Sequence, residues 1–388
     1  MLPKTVIKYI DMRKLFLSAS LLLCGVVAMS AQEEKSEEYI FTTVDSVAIT
    51  SIKNQNQTGT CWSFSTISFL ESELLRMGKG EYDLSEMFVV HKTMEDRATA
   101  AVRTHGDVSY APGGSFYDVL YCYKHYGMVP NTVMPGILYD SEKHDHNELS
   151  NVAGAYVNAI AKGNARRLTN VWHNGLSAIY DAYIGECPER FLYEGKEYTP
   201  REYADNLLGL NMDDYVSLTS FTHHPFYEQF IIEVPDNWRW AESYNLPIEE
   251  LMEVMKYSIK SGYSFAWASD VSESGFGRRQ GVAVVPAEGV SVEDALSHPT
   301  EEREITQEMR QKGYDNWETT DDHGMHIFGI ATDQNGKEYF MVKNSWSEDS
   351  GRRGIWYASE AFVAYKTMNI VLHKSAIPKH IKKSLGLK

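Results

Sequence analysis

Gln55-Asn-Gln-Thr-Gly-Thr-Cys61-Trp62-Ser63-Phe64-Ser65 is the stretch on which the reading of this chain turns. Gly59 supplies a flexible turn. From Trp62 onward apolar residues recur at helical spacing, at Phe64, Ile67, Leu70, Leu74 and Leu75. The spacing predicts a helix that opens at Cys61. A cysteine in that position faces unpaired backbone N–H groups and the positive end of the helix dipole. Both favour the thiolate, the reactive form of the side chain. Six residues upstream, the Gln55 amide can donate to an oxyanion.

A lone cysteine is ordinarily a packing residue. Two distant segments change its meaning. Asp322-His323-Gly324-Met325-His326-Ile327-Phe328-Gly329-Ile330 and Tyr339-Phe340-Met341-Val342-Lys343-Asn344-Ser345-Trp346 each read as a strand, with the turn Asp333-Gln-Asn-Gly336 between them. A histidine and an asparagine on neighbouring strands can meet on one face. Asn344 would then orient the imidazole and Trp346 would shield the bond from water, giving nucleophile, base and orienter. Strand periodicity puts His323 with residues 325 and 327 and turns His326 to the other face, so His323 is the candidate base.

The three segments resemble papain-like cysteine peptidases, and within them the bleomycin hydrolase and bacterial aminopeptidase C branch. The resemblance runs from about residue 50 to about residue 378. It is carried further by Leu84-Ser85-Glu86, Gly113-Gly114-Ser115-Phe116, Tyr126-Gly127-Met128-Val129-Pro130, Thr199-Pro200-Arg201-Glu202-Tyr203, Phe265-Ala266-Trp267-Ala268-Ser269-Asp270-Val271 and Tyr314-Asp315-Asn316. His323 stands 262 residues after Cys61, about 110–130 more than the papain spacing, as an inserted domain would produce. The resemblance implies an α+β, papain-like two-lobe fold, a helical lobe plus a β-rich lobe, with a mainly helical insertion. It implies Cys61 as nucleophile, His323 as base, Asn344 as its orienter, and an oxyanion hole built from the Gln55 amide and the Cys61 N–H. Gly113, Gly114 and Trp346 are the expected substrate-binding positions, with the Gly113-Gly114 backbone edge open to an extended peptide. No cofactor and no metal is implied. The branch trims peptides from the N-terminus inside a hexameric ring, with a C-terminal arm lying in the cleft. This chain departs there, because its basic end, with Pro378 and Lys379-His380-Ile381-Lys382-Lys383, reads as a helix start.

The chain length allows a large core, two lobes and an insertion. The expected boundaries are a signal peptide at 1–31 (1–11 an upstream start), a polar lead at 32–54, the helical lobe at 55–140, the insertion at 141–250, the β-rich lobe at 251–372 and a basic tail at 373–388. Met12-Arg13-Lys14 followed by apolar Leu15–Val27 and small residues to Ala31 reads as an export signal, so the expected location is periplasmic or secreted, with no stable membrane span after cleavage. The bulky Leu23 argues against lipid attachment at Cys24. The net charge is −16, and without residues 1–31 it is 33 − 52 = −19. So acidic a surface repels phosphate backbones and excludes general nucleic-acid binding. Three cysteines remain after cleavage, Cys61, Cys122 and Cys187, and they offer no disulfide framework: Cys122 and Cys187 are either a single bridge or two buried thiols.

Leu149, Val152, Ala153, Tyr156, Val157 and Ile160 predict an amphipathic helix, and residues 251–262 another. His144-Asp145-His146 and His223-His224 show no further donors at metal-ligand spacing and read as loop residues. The function implied is hydrolysis of peptide bonds, an aminopeptidase activity on peptide substrates, in a homo-oligomer by resemblance. Endopeptidase action, or amide hydrolysis or acyl transfer on a non-peptide substrate, would use the same triad. A non-catalytic peptide-binding module would have no need of Gln55, Cys61, His323 and Asn344 together.

Overall fold

The computed structural model describes residues 38–387, so the expected signal segment and the possible lipid site at Cys24 lie outside the described residues. Strand β1 (Thr42–Ser46) precedes helix α1 (Cys61–Arg76), α2 (Glu86–Arg103) and α3 (Phe116–Tyr126). Then come α4 (Asn147–Ala161), α5 (Val171–Ile184) and the hairpin β2 (Phe191–Tyr193)–β3 (Lys196–Tyr198). Strands β4 (Tyr215–Thr219), β5 (Gln229–Ile231) and β6 (Glu242–Asn245) lead to α6 (Ile248–Lys260). Next are β7 (Phe265–Ser269), β8 (Phe276–Gly277), β9 (Val282–Ala283), α7 (Val292–Ser297) and α8 (Gln307–Asp315). The chain closes with β10 (His323–Thr332), β11 (Glu338–Lys343), β12 (Ile355–Ser359), α9 (Glu360–Lys366), β13 (Thr367–His373) and α10 (Lys379–Ser384). No helix among the described residues is long and apolar enough to cross a membrane.

Helix α1 is buried from Trp62 to Leu74, because it is packed by the other helices on one side and by β10 and β7 on the other. Polar side chains survive there by bonding backbone: Ser65 Oγ donates to Cys61 O (2.7 Å), Thr66 Oγ1 to Trp62 O (2.7 Å) and Ser63 Oγ to Glu86 O (3.0 Å). Ser85 caps α2 by accepting from Phe88 N, and Ser115 with Asp118 forms a capping box on α3. α4 and α5 pack against each other and α2. α4 buries Leu149, Ala153, Val157 and Ala161, a narrower stripe than its sequence predicts, with Val152 left exposed.

The large sheet runs β5-β6-β4-β13-β7-β10-β11-β12-β9-β8, with β1 also paired to β10. Residues 141–250 therefore contribute in two ways. Their helices join the helical core, whereas β4 to β6 extend the sheet, since β4 pairs antiparallel with β13 through Leu218 and Ile370. That partnership joins residues about 150 apart in the chain and leaves no local signature. A second core, around Trp267, Met325, Ile327 and Trp356, fills the β-rich side. The C-terminal end is helical, as Pro378 predicts. Ile381 and Leu385 are buried in this second core, and His380 lies 3.4 Å from Glu253 on α6.

Candidate active site

Cys61 is the first residue of α1, and His323 the first of β10. Both line one cleft of about 320 Å³, together with Trp62, Gly114, Asp236 and Asp321. Two close approaches hold Cys61 beside the strand. A Cβ on Gly324 would lie 2.7 Å from Ser65 Oγ, and one on Gly114 would lie 2.8 Å from the Trp62 ring. Only glycine lets these backbones come so near the start of α1.

Asn344 directly follows β11, which pairs antiparallel with β10. Its Oδ1 is 2.8 Å from His323 Nε2 and also accepts from Ser345 N at 2.7 Å. The backbone donor fixes which end of the amide is oxygen, so His323 Nε2 must carry the proton. Nδ1 is then the unprotonated nitrogen, free to act as a base. The Trp346 ring stacks over His323 at 4.7 Å between centroids and is itself walled by Phe276 and Trp356. Trp346 thus covers the His323–Asn344 bond and does not line the cleft. Of the other two positions expected to bind substrate, Gly114 lines the cleft and Gly113 does not.

Gln55 is buried and fixed at both ends of its amide. Nε2 donates to Thr58 O (2.8 Å), and Oε1 accepts from Ser345 Oγ (2.6 Å). One Nε2–H remains without an acceptor among the described residues. Upstream, Lys53 Nζ anchors the loop, 3.1 Å from Glu71, 2.6 Å from Glu86 and 2.7 Å from Asp83.

The electrostatics of the site add opposing influences to the helix-end expectation. Burial pushes the Cys61 thiol up to about 12, helped by the charges of Asp321 and Asp236, while the N–H groups of Gly324 and Trp62 oppose the shift. Burial likewise pulls His323 down to about 4, against the bond from Asn344. Both shifts run toward a neutral thiol and a neutral imidazole. The helix end pulls the other way, toward the thiolate.

His326 faces α1, its Nδ1 2.9 Å from Ser68 Oγ, and is fully buried. His146, expected in an exposed loop, is buried as well. Cys122 and Cys187 are free thiols. The residue that sequence reasoning missed is Asp236. It reaches the cleft from the segment after β5, held by Arg97 Nη1 at 3.2 Å, and the same nitrogen donates to Gly113 O at 2.5 Å. A Cβ on Gly113 would lie 2.0 Å from Asp236 Oδ2, so the carboxylate sits on the backbone edge expected to receive peptide. Asp321, two residues before His323, is raised to about 7 by burial and by the neighbouring Asp236 and Asp322 charges.

The peptidase C1-like family profile matches residues 76–387, and the papain family cysteine protease profile matches residues 40–102. The chain is 24% identical over 395 residues to aminopeptidase C of Streptococcus thermophilus, covering 88% of this chain and 84% of that protein. It is 23% identical to aminopeptidase G of Lactobacillus delbrueckii subsp. lactis, covering 84% and 82%. Among solved structures, PepW of Lactobacillus rhamnosis HN001 superposes with a TM-score of 0.70 at 20% identity, over 98% of this chain and 95% of that one, a likeness of fold.

Proposed function

The chain belongs to the peptidase C1-like family and is a papain-like cysteine peptidase, and from that premise we propose that Cys61, His323 and Asn344 carry the hydrolysis and that the enzyme trims peptides from a free N-terminus. In this reading Cys61 Sγ attacks the scissile carbonyl while its proton passes to His323 Nδ1. The Cys61 N–H and the free Nε2–H of Gln55 take the oxyanion. His323 then protonates the leaving amine, and water hydrolyses the thioester with His323 as base. Asn344 holds the imidazole through both steps.

The observation that carries the aminopeptidase reading is the pair Asp236 and Asp321 in the cleft of Cys61. A substrate's α-ammonium is the ligand such carboxylates match. Asp236, pressed on Gly113, also stands where a longer peptide would continue past the amino end. Ala376, Ile377, Ile381 and Leu385 pack in the β-rich core, and in this reading the Asp236 and Asp321 side chains do the gating. Export after Ser30 or Ala31 and assembly into a homo-oligomer belong to the same proposal. N-terminal sequencing of native protein and sedimentation test these two.

The decisive experiment compares a free-amine peptide with its N-acetylated twin and reads the product ladder by mass spectrometry. A ladder of single-residue losses, with the acetylated peptide cleaved at least about tenfold more slowly, a loss of about 1.4 kcal/mol, is expected. Asp321→Asn should raise KM for the free-amine peptide and leave the twin unchanged. Because Asp321 ionises near 7, KM for the free-amine peptide should climb as pH falls through that value. Internal cleavage of both peptides at equal rates would sink the aminopeptidase reading and leave the triad standing.

A further inference from the structure

Local spacing gives His223 and His224 no third donor, but the fold supplies one. The two histidines sit in the turn after β4, and Glu233 lies just past β5. His223 Nε2 is 3.1 Å from Glu233 Oε2, and His224 Nε2 is 2.9 Å from Oε1. A donor atom from each of the three side chains falls within a span of 4.8 Å. Zinc bonds of 2.0–2.1 Å in a tetrahedron place donors about 3.3 Å apart, so each His–Glu pair already stands near donor spacing, and closing the full 4.8 Å span takes at most about 1.5 Å of side-chain movement.

The surroundings pre-form the group. Buried Asn245 ties the turn down through its Nδ2, bonded to Phe221 O (2.7 Å), His224 O (2.9 Å) and Pro225 O (3.2 Å). The His224 ring stacks on Phe230 at 4.3 Å and the His223 ring on Tyr314 at 5.5 Å. The second nitrogen of His223 faces the Gln311 amide, whose Oε1 at 3.4 Å can accept its N–H when Nε2 is a ligand, and Tyr314 OH donates to Glu233 Oε2 (3.3 Å). Partners of this kind on the far side of a ligand orient metal-binding imidazoles and carboxylates. All three side chains keep partial exposure, His223 28%, His224 36% and Glu233 55%, so water can complete the shell.

We propose that His223, His224 and Glu233 form a site for a divalent first-row transition ion of the zinc class, completed by water. The ion acts as a clasp on the cleft wall. Glu233 lies between Ile232 and Val234, both of which line the active-site cleft, and three residues before Asp236. It takes no part in the peptidase chemistry.

The test uses full-length Cys61→Ala protein, so that the catalytic thiol cannot be the ligand. Zinc chloride is titrated calorimetrically into metal-free protein, and cobalt(II) is added in parallel for its visible absorption. One equivalent bound, with the intense d–d bands of a four-coordinate cobalt ion, is expected. His224→Ala and Glu233→Gln, each checked for an unchanged far-ultraviolet circular dichroism spectrum, should lose at least about 100-fold in affinity. Gln311→Ala should lose about 10- to 100-fold, as outer partners do. Absence of stoichiometric zinc binding, or binding that survives both ligand substitutions, would overturn the site and leave a pair of His–Glu contacts.

Discussion

Replacing Asn344 by Ala removes the acceptor that holds His323 in its reactive tautomer. The bond is 2.8 Å long, and both partners are buried, with 2% of Asn344 and 6% of His323 exposed. Water cannot readily substitute under the stacked Trp346 ring. At rest both partners are neutral, and the bond is worth about 1 kcal/mol. When the imidazole takes the thiol proton it becomes cationic, and a bond to a charged donor is worth about 1.5–3 kcal/mol. The difference, about 0.5–2 kcal/mol, is what the variant loses in the transition state, so at about 1.36 kcal/mol per decade kcat/KM should fall about two- to 30-fold, mainly in kcat. The pH profile gives an independent readout. Burial lowers His323 to about 4 and the Asn344 bond opposes it, so Asn344→Ala should drop the value further. Protonation of the base, which stops catalysis, then begins at lower pH, and the acid limb moves down. Asn344→Asp places a carboxylate against the ring and should move the limb up. The assay is hydrolysis of a fluorogenic aminoacyl amide from pH 3 to 9, with thermal unfolding of each variant alongside. An alanine variant as active as wild type, or an acid limb shifted the same way by both substitutions, would refute the orienting argument.

Cys61→Ala and His323→Ala should each remove several orders of magnitude of turnover, since the two act as a unit. His326→Ala should instead lower stability by vacating a buried bond to Ser68, with kcat retained in protein that folds; the reverse ranking in the same assay would assign the base to the wrong histidine. Lys53→Met strips the cation from Glu71 and Glu86, whose side chains are 0% and 4% exposed, and should cost about 3–5 kcal/mol in urea unfolding at pH 8. Burial raises Glu86 to about 7, so below that pH it is protonated, the unpaired charge is gone and the loss at pH 5.5 should be smaller. An equal loss at both pH values would mean that charge is not the cause.

Local pattern determined a good deal here. The apolar spacing after Cys61 marks the central helix, although not that it is buried all round. The turn at Asp333–Gly336 joins two strands whose pairing brings His323 to Asn344, and the period of two separates His323 from His326. Pro378 announces the helix that packs on the β-rich core. Each of these depends on neighbours a few residues away, which is the range over which backbone geometry repeats. Tertiary structure decided the rest. β4 belongs to the sheet because β13 offers it an edge, and nothing near residue 215 records that partner. Asp236 reaches the cleft, and Glu233 meets His223 and His224, because β5 and β6 fold a polar segment back along the cleft wall. The setting of Cys61 was the least legible at the local level. A helix start is visible in sequence and favours the thiolate, whereas the opposing desolvation and the charges of Asp321 and Asp236 exist only once the lobes have closed around the sulphur.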